Sequence, residues 1–420
     1  MTVRKTLFAA LAIFILLLAA CGSSSKATGP DLNFVPAVPY AVRDYPLETV
    51  SGKTAFQYLK DERILSGWNL GNTLDSYNNG IAGETLWGNP FVNQELLNGV
   101  KAAGFDIIRI PVTWMGHIGN APDHRISLRR LERVAEVVEM AHAAGLKVII
   151  NVHHDGSTPD QGIEHGWLSL KKSYRNQTDY HEITYRFARV WDQIAAYFQN
   201  YGDWLIFESF NELHDGGWGH STEFKMFPGF QLDILNNWNQ IFTDRVRASG
   251  GNNATRFLLI PAYCTIPAQT LADSFILPND TVPDKLIVTF HYYDPHDFGI
   301  EGRRTNWGTQ EDRQITDNDF APFKGRYIDR NIPVIIGECG AVLQLYPNDP
   351  AREARARQSR RDYIQHVFVT AKKYGLIPVY WDNGLTRGTG EKFGLFDRRT
   401  GQPNSSDSEA LIRMMINAVR

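Results

Sequence analysis

SLRRLERVAEVVEMAHAAGLKVIINVHHD, Ser127 to Asp155, holds one complete unit of the fold. From Ser127 to Ala144 apolar residues recur at three- and four-residue spacing, which predicts a helix with one buried face. Gly145 follows, at the place where a left-handed residue ends a helix without steric cost. Lys147 to Val152 is a short β-branched run and reads as a buried strand. Its C-terminal end carries the polar group His153-His154-Asp155.

The same unit recurs in both directions, the pattern of a parallel sheet. Strands are predicted at Leu65 to Leu70, Ile107 to Pro111, Lys147 to Val152, Trp204 to Phe210, Arg256 to Pro261, Leu286 to His291, Pro333 to Glu338 and Ile377 to Trp381. Helices are predicted at Asn93 to Ala103, Ser127 to Ala144, Asp179 to Tyr201, Gln231 to Ala248, Asp317 to Arg330, Pro350 to Tyr374 and Ser408 to Val419. Gly104, Gly202, Gly250 and Gly375 stop helices as Gly145 does, and only the fifth helix, around Ala268 to Ser274, is weakly marked. Eight units suggest closure into an α/β fold, the (β/α)8 TIM barrel, whose active site lies at the C-terminal strand ends. A doubly wound open sheet is the alternative; it wants a glycine-rich phosphate loop after a strand, and the sequence has none.

At the N-terminus Arg4 and Lys5 precede an apolar run from Leu7 to Ala20, shorter than the ~20 residues of a spanning helix. Residues 1–20 therefore read as a signal peptide of an exported protein. Leu18-Ala19-Ala20-Cys21 resembles the bacterial lipobox, which implies lipidation of Cys21 and a membrane anchor facing the periplasm or the cell exterior. Ordinary cleavage, leaving Cys21 as a bare thiol, is the other possibility. Residues 21–32, rich in Gly and Ser, read as a flexible tether, and 33–420 as a single catalytic domain, expected to act as a monomer. Without Arg4 and Lys5 the formal charge goes from −3 to −5. With no clustered basic face, nucleic acid is an unsuitable partner. Cys264 and Cys339 are too few for a disulfide scaffold.

The strand ends carry Asn69 and Asn72, Arg109, His153-His154-Asp155, Asn211-Glu212, His291 with Tyr293, Glu338, and Trp381-Asp382-Asn383. Glu212 and Glu338 each follow an apolar strand, where a buried charge is costly unless the site uses it. One such glutamate would suit a structural ion pair; two at one end of a barrel suit paired-carboxylate chemistry. The adjacent His153 and His154 could suggest a metal. Neighbours on a strand point to opposite faces, however, and helical H-E-x-x-H spacing is absent, so neither a metal nor a cofactor is expected.

Gly67-Trp68-Asn69-Leu70-Gly71-Asn72-Thr73-Leu74-Asp75, Ile108-Arg109-Ile110-Pro111, Asn151-Val152-His153-His154-Asp155, Phe210-Asn211-Glu212, His291-Tyr292-Tyr293 and Ile336-Gly337-Glu338 together resemble glycoside hydrolase family 5. The resemblance implies a retaining hydrolase of β-linked polysaccharide, with Glu212 as acid/base and Glu338 as nucleophile. It makes Arg109, His153, His291 and Tyr293 their supports, gives Asn211 the sugar 2-hydroxyl, and places Trp381 as the floor of the subsite beside the nucleophile. Asn72, His154, Trp87, Trp114, Trp307 and Asn383 are further substrate-binding candidates. Trp167 and Trp218 also fall in loops, whereas Trp191 and Trp238 lie in helices and should pack.

Glu84 to Pro90 and Trp381 to Gly384 look like segments of endoglucanase-type members, implying cellulose, mixed-linkage glucan or xyloglucan as substrate. Mannan and xylan remain alternatives within the family. Leu213 stands where many relatives have proline, which leaves the leaving-group side open. A non-catalytic, sugar-capturing barrel would need only the aromatic residues; here the polar set is complete as well.

Overall fold

In a computed structural model of the chain, residues 32–156 and 166–420 are described. The signal peptide, Cys21 and the tether up to residue 31 lie outside the described residues. A compact unit spans Pro36–Arg420.

Eight parallel strands close into a barrel: β1 Gly67–Leu70, β2 Ile107–Ile110, β3 Lys147–Asn151, β4 Leu205–Glu208, β5 Leu258–Pro261, β6 Leu286–Tyr292, β7 Val334–Cys339 and β8 Ile377–Asp382. β1 pairs with both β2 and β8, which completes the ring. The principal outer helices are α1 Gln94–Ala102, α2 Leu128–Ala143, α3 Gln177–Tyr197, α4 Pro228–Ala248, α5 Pro267–Thr270, α6 Gln310–Arg326, α7 Pro350–Tyr374 and α8 Ser406–Val419. All eight predicted strands are present, each within about three residues of its expected bounds.

Strand period fixes the interior. Ile107, Ile149, Ile206, Leu259, Ile287, Ile335 and Val379 form one apolar cluster with Ala55, Tyr58, Leu59 and Ile64. The last four belong to the helix Ala55–Asp61 and its exit, which sequence did not single out; Thr54 and Gln57 cap that helix reciprocally. Two residues further along the strands, on the same inward face, stand Asn69, Arg109, Asn151, Glu208, Thr289 and Trp381. The barrel thus changes from apolar to polar within one strand repeat.

β7 carries one extra residue relative to both neighbours. Phe290 pairs with Ile336 but His291 with Glu338, and on the other side the register shifts between Pro378 and Tyr380. A bulge re-aims the next side chain, here Glu338. Gly337 is required in it, because a Cβ would stand 2.7 Å from Thr289 Oγ1 and 3.1 Å from His291 Nε2.

Gly104, Gly145, Gly250 and Gly375 all have positive φ at helix ends, as predicted. Gly202 does not serve that role: α3 stops at Tyr197 instead of Tyr201. Arg256 takes the carbonyls of Phe198, Tyr201, Gly202 and Leu205 at 2.8–3.1 Å and holds this segment off the helical path. α4 and α6 begin earlier than predicted, at Pro228 and at Gln310, the latter capped reciprocally by Thr309 and Asp312.

Candidate active site

Arg109, fully buried on β2, organises the polar layer. Its Nε donates to Glu208 Oε2 at 2.7 Å, Nη1 to Glu338 Oε1 at 2.7 Å and Asn69 Oδ1 at 3.2 Å, and Nη2 to Asn211 Oδ1 at 2.7 Å. A buried guanidinium is tolerated only when its fork is matched in this way. Asn69 is held in turn by donating to the Gly337 carbonyl at 2.9 Å, in the β7 bulge.

Glu338 accepts from Arg109 on one oxygen and from the Tyr293 hydroxyl, at 2.9 Å, on the other. Both oxygens of this carboxyl are thereby fixed in orientation. Glu212 lies beyond the end of β4 in a loop tied to β3 by Asn211 N–H to the Val152 carbonyl, 2.9 Å. Its Oε1 is 2.6 Å from His291 Nδ1. Burial is the main cause raising the Glu212 carboxyl from 4.5 to about 7, against the opposing charge of Arg109. Burial also lowers His291 to about 4. A protonated Glu212 therefore donates to the neutral ring, and an ionised one accepts from it. One oxygen each of Glu212 and Glu338 and a ring nitrogen of His291 lie within 4.8 Å of one another.

Asn151 Nδ2 donates both to His153 Nδ1 at 3.1 Å and to Glu208 Oε2 at 2.9 Å. The neutral His153 ring accordingly carries its proton on Nε2. His153 lies nearly parallel to Trp381, at 9° and 6.1 Å between centroids. Trp381 packs with Phe393 and Val342, against Tyr293 and Ile300. Gly71 leaves room for its ring, since a Cβ there would sit 2.9 Å from it. The side-chain nitrogen of Asn211, Nδ2, has no hydrogen-bond partner among the described residues and is available to a ligand.

Tyr77, Trp87 and His154 form an aromatic wall, with Trp87 5.4 Å and Tyr77 5.9 Å from the His154 ring. Asn72 stands at the turn beside it with φ 54°, held through its N–H by Asp75 at 3.0 Å. His153 and His154 do not point to opposite faces as expected. β3 ends at Asn151, both histidines lie in the following turn, and their rings are 4.3 Å apart.

Three candidates are displaced from substrate binding. Trp114 is 0% exposed and donates from its indole to the Asn151 carbonyl at 3.0 Å, so it supports the site from behind. Trp307 is buried between Tyr363 and His366, with the Arg313 guanidinium 5.2 Å from its ring centroid. Asn383 donates to the Glu391 carbonyl at 2.9 Å and accepts from the Leu385 and Phe393 N–H groups, organising its own loop. Among the other loop tryptophans, Trp167 donates to Asp155 at 2.7 Å, whereas Trp218 packs at a 32° tilt against His214 and keeps 42% exposure.

Sequence alone assigned no role to Glu208, to Asn151 or to the Asp382–Arg398 pair, although Asn151 and Asp382 stand in the quoted strand-end motifs. Asp382 accepts from Trp68, Leu395 and Gly384 as well as Arg398, and pins β8 to β1. For Glu208 the signal was available: a charge two residues after Ile206 on the inward face of an apolar strand. Cys264 and Cys339 are buried free thiols.

The profile described as "Cellulase (glycosyl hydrolase family 5)" matches residues 72–386. Endoglucanase A of Paenibacillus barcinonensis is 34% identical, over 94% of each chain. A xyloglucan-specific endo-beta-1,4-glucanase of Bacteroides ovatus is 36% identical, over 84% of this chain and 68% of its own. Among solved structures, the GH5-4 broad specificity endoglucanase from Bacteroides salanitronis superposes with a TM-score of 0.79 at 38% identity, covering 91% of this chain and 99% of that one.

Proposed function

Given that the chain belongs to glycosyl hydrolase family 5, the cellulase family, we propose that it cuts internal β-1,4 bonds of a glucan-type polysaccharide by double displacement. The observation that carries this is the carboxyl pair: oxygens within 4.8 Å, beside His291. Retaining enzymes hold their carboxyls ~5–5.5 Å apart, inverting ones ~6.5–9.5 Å to admit a water. Glu338, held between Arg109 and Tyr293, attacks the anomeric carbon. Glu212, protonated up to about pH 7, gives its proton to the departing oxygen and then removes one from the water that releases the sugar.

The free amide of Asn211 suits the sugar 2-hydroxyl. His153 and Trp381 suit the subsite beside Glu338, and Tyr77, Trp87 and His154 continue it as a stacking wall. The names of the relatives, endoglucanase and xyloglucanase, support β-1,4-glucan as substrate. Reducing-sugar and viscosity assays on cellulose derivatives, mixed-linkage glucan, xyloglucan, mannan and xylan test it. Rapid viscosity loss on a glucan, with the first product formed as the β-anomer, is expected; activity confined to mannan or xylan would overturn the substrate, and an α-anomer the mechanism.

For the N-terminus the proposal is export and lipidation at Cys21, supported by the basic, apolar and Leu-Ala-Ala-Cys segments in order. Cys21→Ala should move active enzyme from the membrane fraction to the soluble one; unchanged fractionation would refute the anchor.

A further inference from the structure

We propose that Glu208 is a positioning residue for the reaction: it sets the orientation of the Arg109 fork and makes the site net negative when the substrate arrives. The proposal rests on the reading of Glu212 as acid/base and Glu338 as nucleophile.

Glu208 has no contact with the outside. Its side chain is 0% exposed; Oε2 accepts from Arg109 Nε and Asn151 Nδ2, while buried Oε1 has no hydrogen-bond partner among the described residues. A carboxylate left half-satisfied in a barrel interior is a cost to folding. Packing does not call for it, since the neighbouring layer is built of isoleucine, leucine and valine. Its use must lie in what it does to Arg109.

The first effect is geometric. With Nε taken by Glu208, Nη1 can meet Glu338 and Asn69 while Nη2 meets Asn211. Released, the fork could turn to bind Glu338 with two parallel bonds, the stronger arrangement. That would draw the nucleophile toward the barrel floor and free the Asn211 amide from its orientation.

The second effect is charge. Arg109 stands against two carboxylates, Glu208 and Glu338, so with Glu212 protonated the cluster carries a formal −1. Without Glu208 it would be neutral. Positive charge develops at the sugar ring in the transition state, and a preorganised negative site stabilises it in a place water cannot screen. Arg109, Glu208, His291, Tyr293, Glu338, His296, Glu391 and Cys264 are titratable groups around Glu212. Among them Arg109 favours its ionised form and Glu208 opposes that.

Glu208→Gln tests this, with kcat, KM and the pH profile measured beside the wild type on a cello-oligosaccharide, whose leaving group needs the Glu212 proton. The expected result is a kcat lower by about 100-fold with KM within about threefold. The basic limb should fall by about one pH unit as Arg109 acts on Glu212 without its counter-charge. A structural filler would lower only the thermal midpoint; kcat within threefold and an unmoved limb overturn the proposal. If Glu208→Gln does not fold, Glu208→Asp decides. The shorter arm keeps the charge but slackens Arg109, so kcat should fall at least about tenfold with the limb in place, and an unchanged kcat overturns the proposal. Inversion by the wild-type enzyme would sink the parent reading and this one with it. Retention with an unmoved Glu208→Gln profile sinks this one alone.

Discussion

Replacing Glu212 by glutamine should stabilise the protein at alkaline pH while abolishing turnover of ordinary glycosides. Burial raises this carboxyl from 4.5 to about 7, so the folded chain holds the proton more tightly than the unfolded one. Folding is then penalised wherever the group is ionised. The penalty is absent below the unfolded value near 4.5, grows as pH rises, and is complete above about 7. A rise from 4.5 to about 7 corresponds to about 3 kcal/mol. The side chain is only 21% exposed, so solvent screens little of it. Glutamine has the shape of the protonated acid and can donate its amide to His291 Nδ1. Urea unfolding of both proteins at pH 4.5 and pH 8 isolates the effect, because every other titrating group cancels in the difference. Equal stability at pH 4.5 and a gain of about 3 kcal/mol for Glu212→Gln at pH 8 are expected. A mutant less stable at pH 8 would mean that the site favours the carboxylate, and the acid assignment would fail.

The same value bears on rate: with a poor leaving group kcat/KM should fall about tenfold per pH unit above pH 7, whereas a dinitrophenyl glycoside, which needs no proton to depart, should lose that limb. A common limb for both would contradict Glu212 as the proton donor. Trp87→Ala should raise KM for oligosaccharides about tenfold at unchanged thermal stability. Trp114→Ala should instead cost about 3–5 kcal/mol of stability through the lost core volume; affinity loss in the second and stability loss in the first would reverse the two assignments. Gly337→Ala should lower kcat at least tenfold by forcing the β7 bulge away from Thr289 and His291, and full activity would show that the bulge does not aim Glu338.

The barrel was legible because its strands are covered on both faces and read as continuous apolar runs, and because Gly104, Gly145 and Gly375 mark helix ends by their backbone alone. The end of α3 was not. Phe198 and Tyr201 continue the three-residue apolar spacing of the helix, and the distant Arg256, by claiming their carbonyls, takes them out of it. In the site, Glu212 and Glu338 stood out as charges after apolar strands. Glu208 obeyed the same rule inside its strand and was obscured by Glu212 four residues later. Trp114 and Trp87 look alike in sequence, both at loop positions after a strand. What separates them is which carbonyl takes the indole N–H: Asn151 within the barrel for one, Tyr77 at the rim for the other. Asn383 likewise points to its own loop, a choice fixed by the Leu385 and Phe393 N–H groups.

The division of labour between the two glutamates is the centre of this account, and azide rescue with an activated β-glycoside tests it most directly. Glu212→Ala should still form the glycosyl-enzyme on Glu338, and azide in the space left by the lost carboxyl should then resolve it as a β-glycosyl azide. Glu338→Ala should give the α-glycosyl azide by a single displacement from the opposite face. The two anomers in the reverse order, read by NMR, would contradict the assignment of nucleophile and acid/base.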